Sequence, residues 1–249
     1  MEQSAVLRNM QIIEDTFREV QELFPTLNEE ELVARLESYP LQFRSIAYEA
    51  ASMQYVLADL KAGNNLLSWS HFFNQYGIRH STQCNIGAGW AFAQQQINPS
   101  GFFRFVQGDL SLSVLDGYGY YEGMFRRRKS VLSQQQPEFL DELTTPSYYR
   151  GLGRSLWYSS KGEIEQVAKI VSGFTDIHKP DLWTGLGTAV AYVGGCEISM
   201  LEEVADLSGV YKANLWQGAR SALKSREVAS SVTDDVLLAV RVWDIAEVS

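Results

Sequence analysis

Acid and base candidates crowd into one stretch, Leu115 to Arg128, which reads L-D-G-Y-G-Y-Y-E-G-M-F-R-R-R. Glu122 stands one residue before Gly123, among Tyr118, Tyr120, Tyr121 and Phe125. A carboxyl buried beside aromatic rings has a raised pKa and could serve as acid or base near neutral pH. The same group could instead pair with Arg126, four residues on and well oriented for a helical ion pair. Glu49, in A-Y-E-A, allows the same two readings. Asp116 is a second acid–base candidate, and Arg154, in G-L-G-R-S-L-W, could anchor an anion or a carbonyl. Trp90, Tyr118, Tyr120 and Trp157 offer ring faces that would stack on a ligand or stabilise a developing cation.

Other chemistries lack their signatures. His71, His80 and His178 share no ligand spacing, and Cys84 and Cys196 are isolated. We therefore expect neither a metal site nor a disulfide framework. Gly117-x-Gly119-x-x-x-Gly123 has no hydrophobic strand before it and no Lys-Ser or Lys-Thr after it, which excludes a phosphate loop. There is no G-x-S-x-G nucleophile elbow, and no cofactor is expected. The net charge of −9 over 249 residues argues against a general nucleic-acid binder. The basic run Arg126 to Lys129 reads as one solvated helix turn. No apolar run approaches the roughly 18 residues that span a bilayer. The first ten residues carry no apolar signal segment. A soluble, cytoplasmic protein is the simplest expectation.

The elements that would position these groups are helical. Val6, Met10, Ile13, Phe17, Val20 and Phe24 recur at spacings of three and four, an amphipathic helix over residues 4–24. Helical patterns follow over 29–36, 41–60, 66–76 and 81–95, with Pro40 suited to a first turn. Residues 101–114 hold a weak strand pattern that reads better as helix or connector. From residue 80 the chain repeats on a glycine: I-G-A-G at 86–89, D-G-Y-G at 116–119, R-G-L-G at 150–153, T-G-L-G at 184–187 and a degenerate Q-G-A-R at 217–220. Ile46-Ala47-Tyr48-Glu49 is a candidate sixth copy. The aligned glycines fall 30, 34, 34 and 33 residues apart, a period used by two-helix solenoid units. The expected fold is all-α: one domain, 1–249, of packed helical hairpins in a tetratricopeptide-like repeat of about 34 residues. Capping helices are expected over 1–40 and 231–249, with the repeats between them over 41–230. Glycine inside a helix costs about 0.5–1 kcal/mol relative to alanine, so its recurrence at one register points to close helix packing.

The residue before each glycine and the one four later share a helix face. These pairs are Ile86/Trp90, Asp116/Tyr120, Arg150/Arg154, Thr184/Thr188 and Gln217/Ser221, with Gly123, Trp157 and Ala191 one turn on. Facing inward, they would line a mixed groove for an amphipathic ligand or peptide. Facing outward, they would be ordinary solvated residues.

The ordered motifs F-R-S-I-A-Y-E-A (43–50), R-H (79–80), I-G-A-G-W-A (86–91), L-D-G-Y-G-Y-Y-E-G-M-F (115–125), G-L-G-R-S-L-W-Y (151–158), D-L-W-T-G-L-G-T-A-V-A-Y-V-G-G (181–195) and L-W-Q-G-A (215–219) carry a resemblance. Together they resemble the bacterial domain-of-unknown-function 1702 family over roughly residues 30–245. Its members are commonly labelled enediyne biosynthesis proteins. Asp116, Glu122, Arg154, Trp157, Trp183 and Tyr192 fall on its motif positions, as do Tyr48, Glu49 and His80. The resemblance implies a secondary-metabolism protein that encloses a polyene or polyketide-derived intermediate. Asp116 or Glu122 would move the proton and Arg154 would anchor. Tyr48, Glu49, His80, Trp90, Tyr118, Tyr120, Trp157, Trp183, Thr188 and Tyr192 would contact the ligand. Cyclisation or isomerisation needs no cofactor. The competing expectation is a non-catalytic adaptor docking a biosynthetic enzyme or peptide in the groove. A closed cavity favours the first; an open groove with solvated carboxylates favours the second.

Overall fold

In the computed structural model, residues 4–106 and 108–244 are described, and among them every regular element is helical. The chain runs through α1 (Ala5–Leu23), α2 (Glu29–Ser38), α3 (Leu41–Ala62), α4 (Leu67–Phe72), α5 (Ser81–Gln95) and α6 (Asp109–Phe125). It continues through α7 (Thr145–Ser159), α8 (Ile164–Ser172), α9 (Lys179–Val193), α10 (Ile198–Ser208), α11 (Lys212–Val228) and α12 (Asp234–Val242). The helices form a single all-α domain, as expected. The two capping regions are described only in part, since residues 1–3 and 245–249 lie outside the described residues. The weak strand pattern at 101–114 is a 3-10 turn, Pro99–Arg104, followed by the start of α6.

Local chemistry sets the helix ends. Asn28 caps α2 by accepting from the Glu31 amide, while the Glu31 carboxylate accepts from the Asn28 amide. This reciprocal box satisfies two otherwise orphaned donors. Pro146 and Pro180 enter the first turns of α7 and α9, where a missing N–H costs nothing. Gly63, at φ +67°, closes α3 in the left-handed region.

Six long helices, α3, α5, α6, α7, α9 and α11, pack side by side in chain order. They run parallel. Arg126, ending α6, donates to the Ala93 carbonyl near the end of α5, and Arg127 reaches Ser159 at the end of α7. Arg150 faces Asp181 across the starts of α7 and α9. Arg226, near the end of α11, donates to Tyr192 O near the end of α9. The short elements between them return the chain on the outside.

The glycines set the spacing of this row. A Cβ on Gly117 would overlap the carbonyl oxygen of Ile86, and one on Gly151 that of Asp116. The first glycine of each later copy meets the preceding helix in the same way, at the residue just before the preceding glycine. Each second glycine meets a carbonyl of the next helix, such as Tyr148 O beside Gly119. Close packing is therefore what offsets the helix-breaking tendency of glycine here.

The row then closes on itself. The end of α11 reaches the starts of α3 and α5. Ser225 Oγ donates to Gln83 Oε1 at 3.0 Å, and Arg226 donates to Gln42 O at 3.2 Å. Helix α1 crosses the enclosed space, from Val193 at the end of α9, where Asn9 donates at 2.9 Å, to Met53 and Tyr55 on α3.

Candidate functional site

The six helices and α1 surround a partly open cavity of about 1240 Å³. Its walls follow a helical stripe at i, i+4 and i+8. On α6 the stripe is Asp116, Tyr120 and Met124; on α7 it is Arg150, Arg154 and Tyr158; on α9 it is Thr184, Thr188 and Tyr192. Of the ten residues in the five sequence pairs, all but Gln217 line the cavity. The third turn differs. Met124, Tyr158 and Tyr192 face inward there, rather than Gly123, Trp157 and Ala191. An i+8 residue lies further round the helix than an i+7 one, so the helices present an inclined row to the cavity.

Glu49 holds the equivalent position on α3. A Cβ on Gly87 would overlap Glu49 O, just as one on Gly117 overlaps Ile86 O. The first copy is therefore Glu49-Ala50-Ala51-Ser52, three residues later than the candidate Ile46-Ala47-Tyr48-Glu49. Ser52 stands where later copies have the second glycine. Its hydroxyl donates to Cys84 O at 2.6 Å, replacing the bare backbone contact with a hydrogen bond.

The cavity is chemically divided. One side carries a stack in which Phe17 and Trp90 lie 4.7 Å apart between ring centroids, and Trp90 and Tyr120 lie 4.9 Å apart. The Arg154 guanidinium sits 5.1 Å over the far face of Tyr120, a cation–π geometry. Ile13, Ile46, Met53 and Ile86 extend this apolar wall. The other side, on α7, α9 and α11, carries Ser147, Arg150, Thr184, Thr188, Ser221 and Ser225.

Charged groups meet between the two sides. Arg154 Nη1 donates to Asp116 Oδ1 at 2.6 Å. Burial pushes the Asp116 carboxyl upward, and the guanidinium works against that push. Burial also opposes the charge on Arg154, but Asp116, Glu49 and the phenols Tyr120 and Tyr158 outweigh it and raise its pKa. Glu49 is 4% exposed and lines the cavity. Burial pushes its carboxyl up to about 8, with Arg154 lowering and Asp116 raising it further. Glu49 thus remains protonated at neutral pH while Arg154 stays charged. Burial likewise keeps Tyr120, Tyr158 and Tyr192 as neutral phenols.

Asp116, Arg154, Glu49, Trp90, Tyr120, Thr188 and Tyr192 are thus brought together, and six expected residues are not. Glu122 is buried outside the cavity and takes the ion-pair alternative, 2.5 Å from Arg126. Tyr48 donates to Glu37 at 2.7 Å and stacks on His80 behind α3. His80 shares a 2.8 Å hydrogen bond with Ser45, and burial lowers its pKa to about 4. Tyr118 packs against Phe139, pushed up to about 12 by burial. Trp157 and Trp183 are core residues, 0% and 3% exposed. Tyr48, Tyr118, Trp157 and Trp183 are buried on helix faces turned away from the cavity, where an aromatic ring fills space. Tyr158 and Phe17 were missed. The signal for Tyr158 was its place four residues beyond Arg154; Phe17 lies on a helix expected only to cap the end.

A family model described as a protein of unknown function (DUF1702) matches residues 13–248. The chain belongs to the DUF1702 family. The motif resemblance read from the sequence and this match agree over nearly the whole length. In this DUF1702 chain the match takes in most of α1, with the cavity-lining Phe17, and all the glycine-bearing helices. No curated protein and no solved structure matches it. Among the described residues no helix is long and apolar enough to cross a membrane.

Proposed function

We propose that the protein binds a hydrophobic small molecule with a polar, oxygen-bearing end in its central cavity. Its aromatic wall would hold the apolar body and the α7–α9 side would hold the polar end. The observation that carries this reading is the central cavity of about 1240 Å³, one side a Phe17–Trp90–Tyr120 stack and the other a row of hydroxyls. That volume slightly exceeds the range of about 300–1,000 Å³ usual for small-molecule sites, which suits an extended ligand. Asp116 would do the acid–base work and Arg154 the anchoring. The motif resemblance implies an intermediate of polyketide or enediyne type, and the reaction proposed on it is a cofactor-independent isomerisation or cyclisation. The adaptor reading asks for solvated carboxylates in an open groove. The buried Glu49 and the Asp116–Arg154 pair, with side chains 19% and 12% exposed, argue against it.

The test is titration with cis-parinaric acid, a fluorescent polyene. Saturable binding is expected, with Trp90→Ala weakening it roughly tenfold because the aromatic wall loses the ring between Phe17 and Tyr120. Absence of saturable binding, or equal binding by the variant, would count against the cavity as the site. Co-purification with another polypeptide instead would restore the adaptor.

A further inference from the structure

Glu49 has an unusual position for a buried carboxyl. It stands at 4% exposure with no hydrogen-bond partner among the described residues, although it lines the cavity. Buried polar groups are normally satisfied by protein or water, and one left open toward a cavity awaits a partner from within it. Asp116 occupies the same level two helices along, because Gly87 and Gly151 pack on the Glu49 and Asp116 carbonyls in equivalent ways. Its Oδ1 is taken by Arg154, while among the described residues no hydrogen bond occupies Oδ2. Two carboxyls therefore face one space in different states, one ion-paired and one alone. Such splitting is how a single site runs acid and base chemistry at neutral pH.

We propose that Asp116 and Glu49 form an acid–base pair that moves a proton on carbon next to a carbonyl group of the bound hydrophobe. This rests on the ligand-binding reading above and names its substrate class: a hydrophobic, unsaturated carbonyl compound. Asp116 Oδ2 takes the proton from the carbon adjacent to the carbonyl, breaking C–H and forming O–H. The C–H electron pair becomes a carbon–carbon double bond, and the carbonyl π pair moves onto oxygen. That oxygen accepts the Glu49 hydrogen bond, supported by the neutral phenols of Tyr120, Tyr158 and Tyr192 around the same charges. Asp116 then returns the proton at a carbon further along the conjugated system. The double bond migrates, and no oxidant, reductant or co-reactant is consumed. Arg154 holds Asp116 in place and works against the upward push of burial on its carboxyl.

The experiment uses the full chain with two probes, a long-chain and a fused-ring β,γ-unsaturated ketone, in D2O. Binding is read by quenching of tryptophan fluorescence, reaction by absorbance of the conjugated enone and by deuterium uptake. Enone formation with deuterium uptake is expected. Asp116→Asn should slow it at least about 100-fold. Glu49→Gln, still a hydrogen-bond donor but a weaker one, should lower kcat by roughly tenfold to 100-fold with KM nearly unchanged. The wild-type rate should fall above about pH 8, as Glu49 ionises, and the Glu49→Gln rate should not. Circular dichroism melts check that both variants are folded. Should Asp116→Asn fail to fold, Glu49→Gln and the pH profile decide alone. Probes that bind without exchange or isomerisation would overturn the proton-transfer proposal and leave the binding reading intact. Unchanged rates in the folded variants would do the same. If neither probe nor the polyene acid binds, the cavity reading falls and this proposal with it.

Discussion

Glu49 shows how position rather than residue type decides what a carboxyl does. Glu122 was equally eligible in the sequence, and both are nearly fully buried. Arg126 one helical turn away claims Glu122, while no cation follows Glu49 at that spacing. The difference is measurable through stability. An unfolded glutamate ionises near its ordinary value of about 4.5, whereas burial holds Glu49 protonated to about 8. Between those values the unfolded state binds fewer protons, so stability falls as pH rises, by at most about 1.4 kcal/mol per unit. Asp116, Arg154, Tyr120, Tyr158 and Tyr192 are the groups facing it that modulate this slope. Glu49→Gln removes the titration. Urea unfolding of the two proteins should give similar midpoints near pH 5, with the variant pulling ahead up to pH 8 and holding its lead beyond. A constant difference across that range would mean Glu49 is already ionised at neutral pH.

At the scale of the helix, the glycine register did most of the work that sequence reading could do. It placed the inward stripe correctly because side-chain direction repeats with the helix, and a glycine marks the face turned to a neighbour. It failed where the mark was absent. Helix α3 uses Ala50, Ala51 and Ser52 in place of G-x-G, so its register was set three residues early and Glu49 was not aligned with Asp116. The third-turn error, Trp157 for Tyr158, has another origin. Helix inclination against the cavity is a property of packing, and one helix's sequence does not record it. The glycine argument itself can be tested at Gly117. Alanine there would ordinarily help a helix by about 1 kcal/mol. Here its Cβ collides with backbone at Ile86 that no rotamer change can move. We expect Gly117→Ala to lower stability by about 1–3 kcal/mol or more, the cost of overpacking. A stabilised variant in thermal melts would show that these helices can part without cost.

For the whole molecule, closure of the helix row turns a groove into a cavity, and one buried cation spans the seam beside the Ser225–Gln83 hydrogen bond. Arg226 is 3% exposed. Its donors reach Tyr192 O at 2.7 Å, Ser231 O at 3.1 Å and Gln42 O at 3.2 Å, and its guanidinium lies 4.1 Å over the Tyr192 ring. It thereby joins α9 and the end of α11 to the start of α3. Nothing in A-L-K-S-R-E-V marks this arginine, since its partners are backbone carbonyls and one distant ring. Arg226→Lys keeps the charge, but a single ammonium on a flexible stem cannot span three carbonyls set by a planar fork. It should cost at least about 1.5–3 kcal/mol, the worth of one lost hydrogen bond to a charged group, read as a lower urea midpoint at unchanged slope. Because Tyr192 and Ser225 also line the cavity, the same variant should bind the polyene acid more weakly than a surface substitution of equal cost in stability. Loss of stability with full retention of binding would mean that the cavity keeps its shape without closure, and that the repeat helices alone define it.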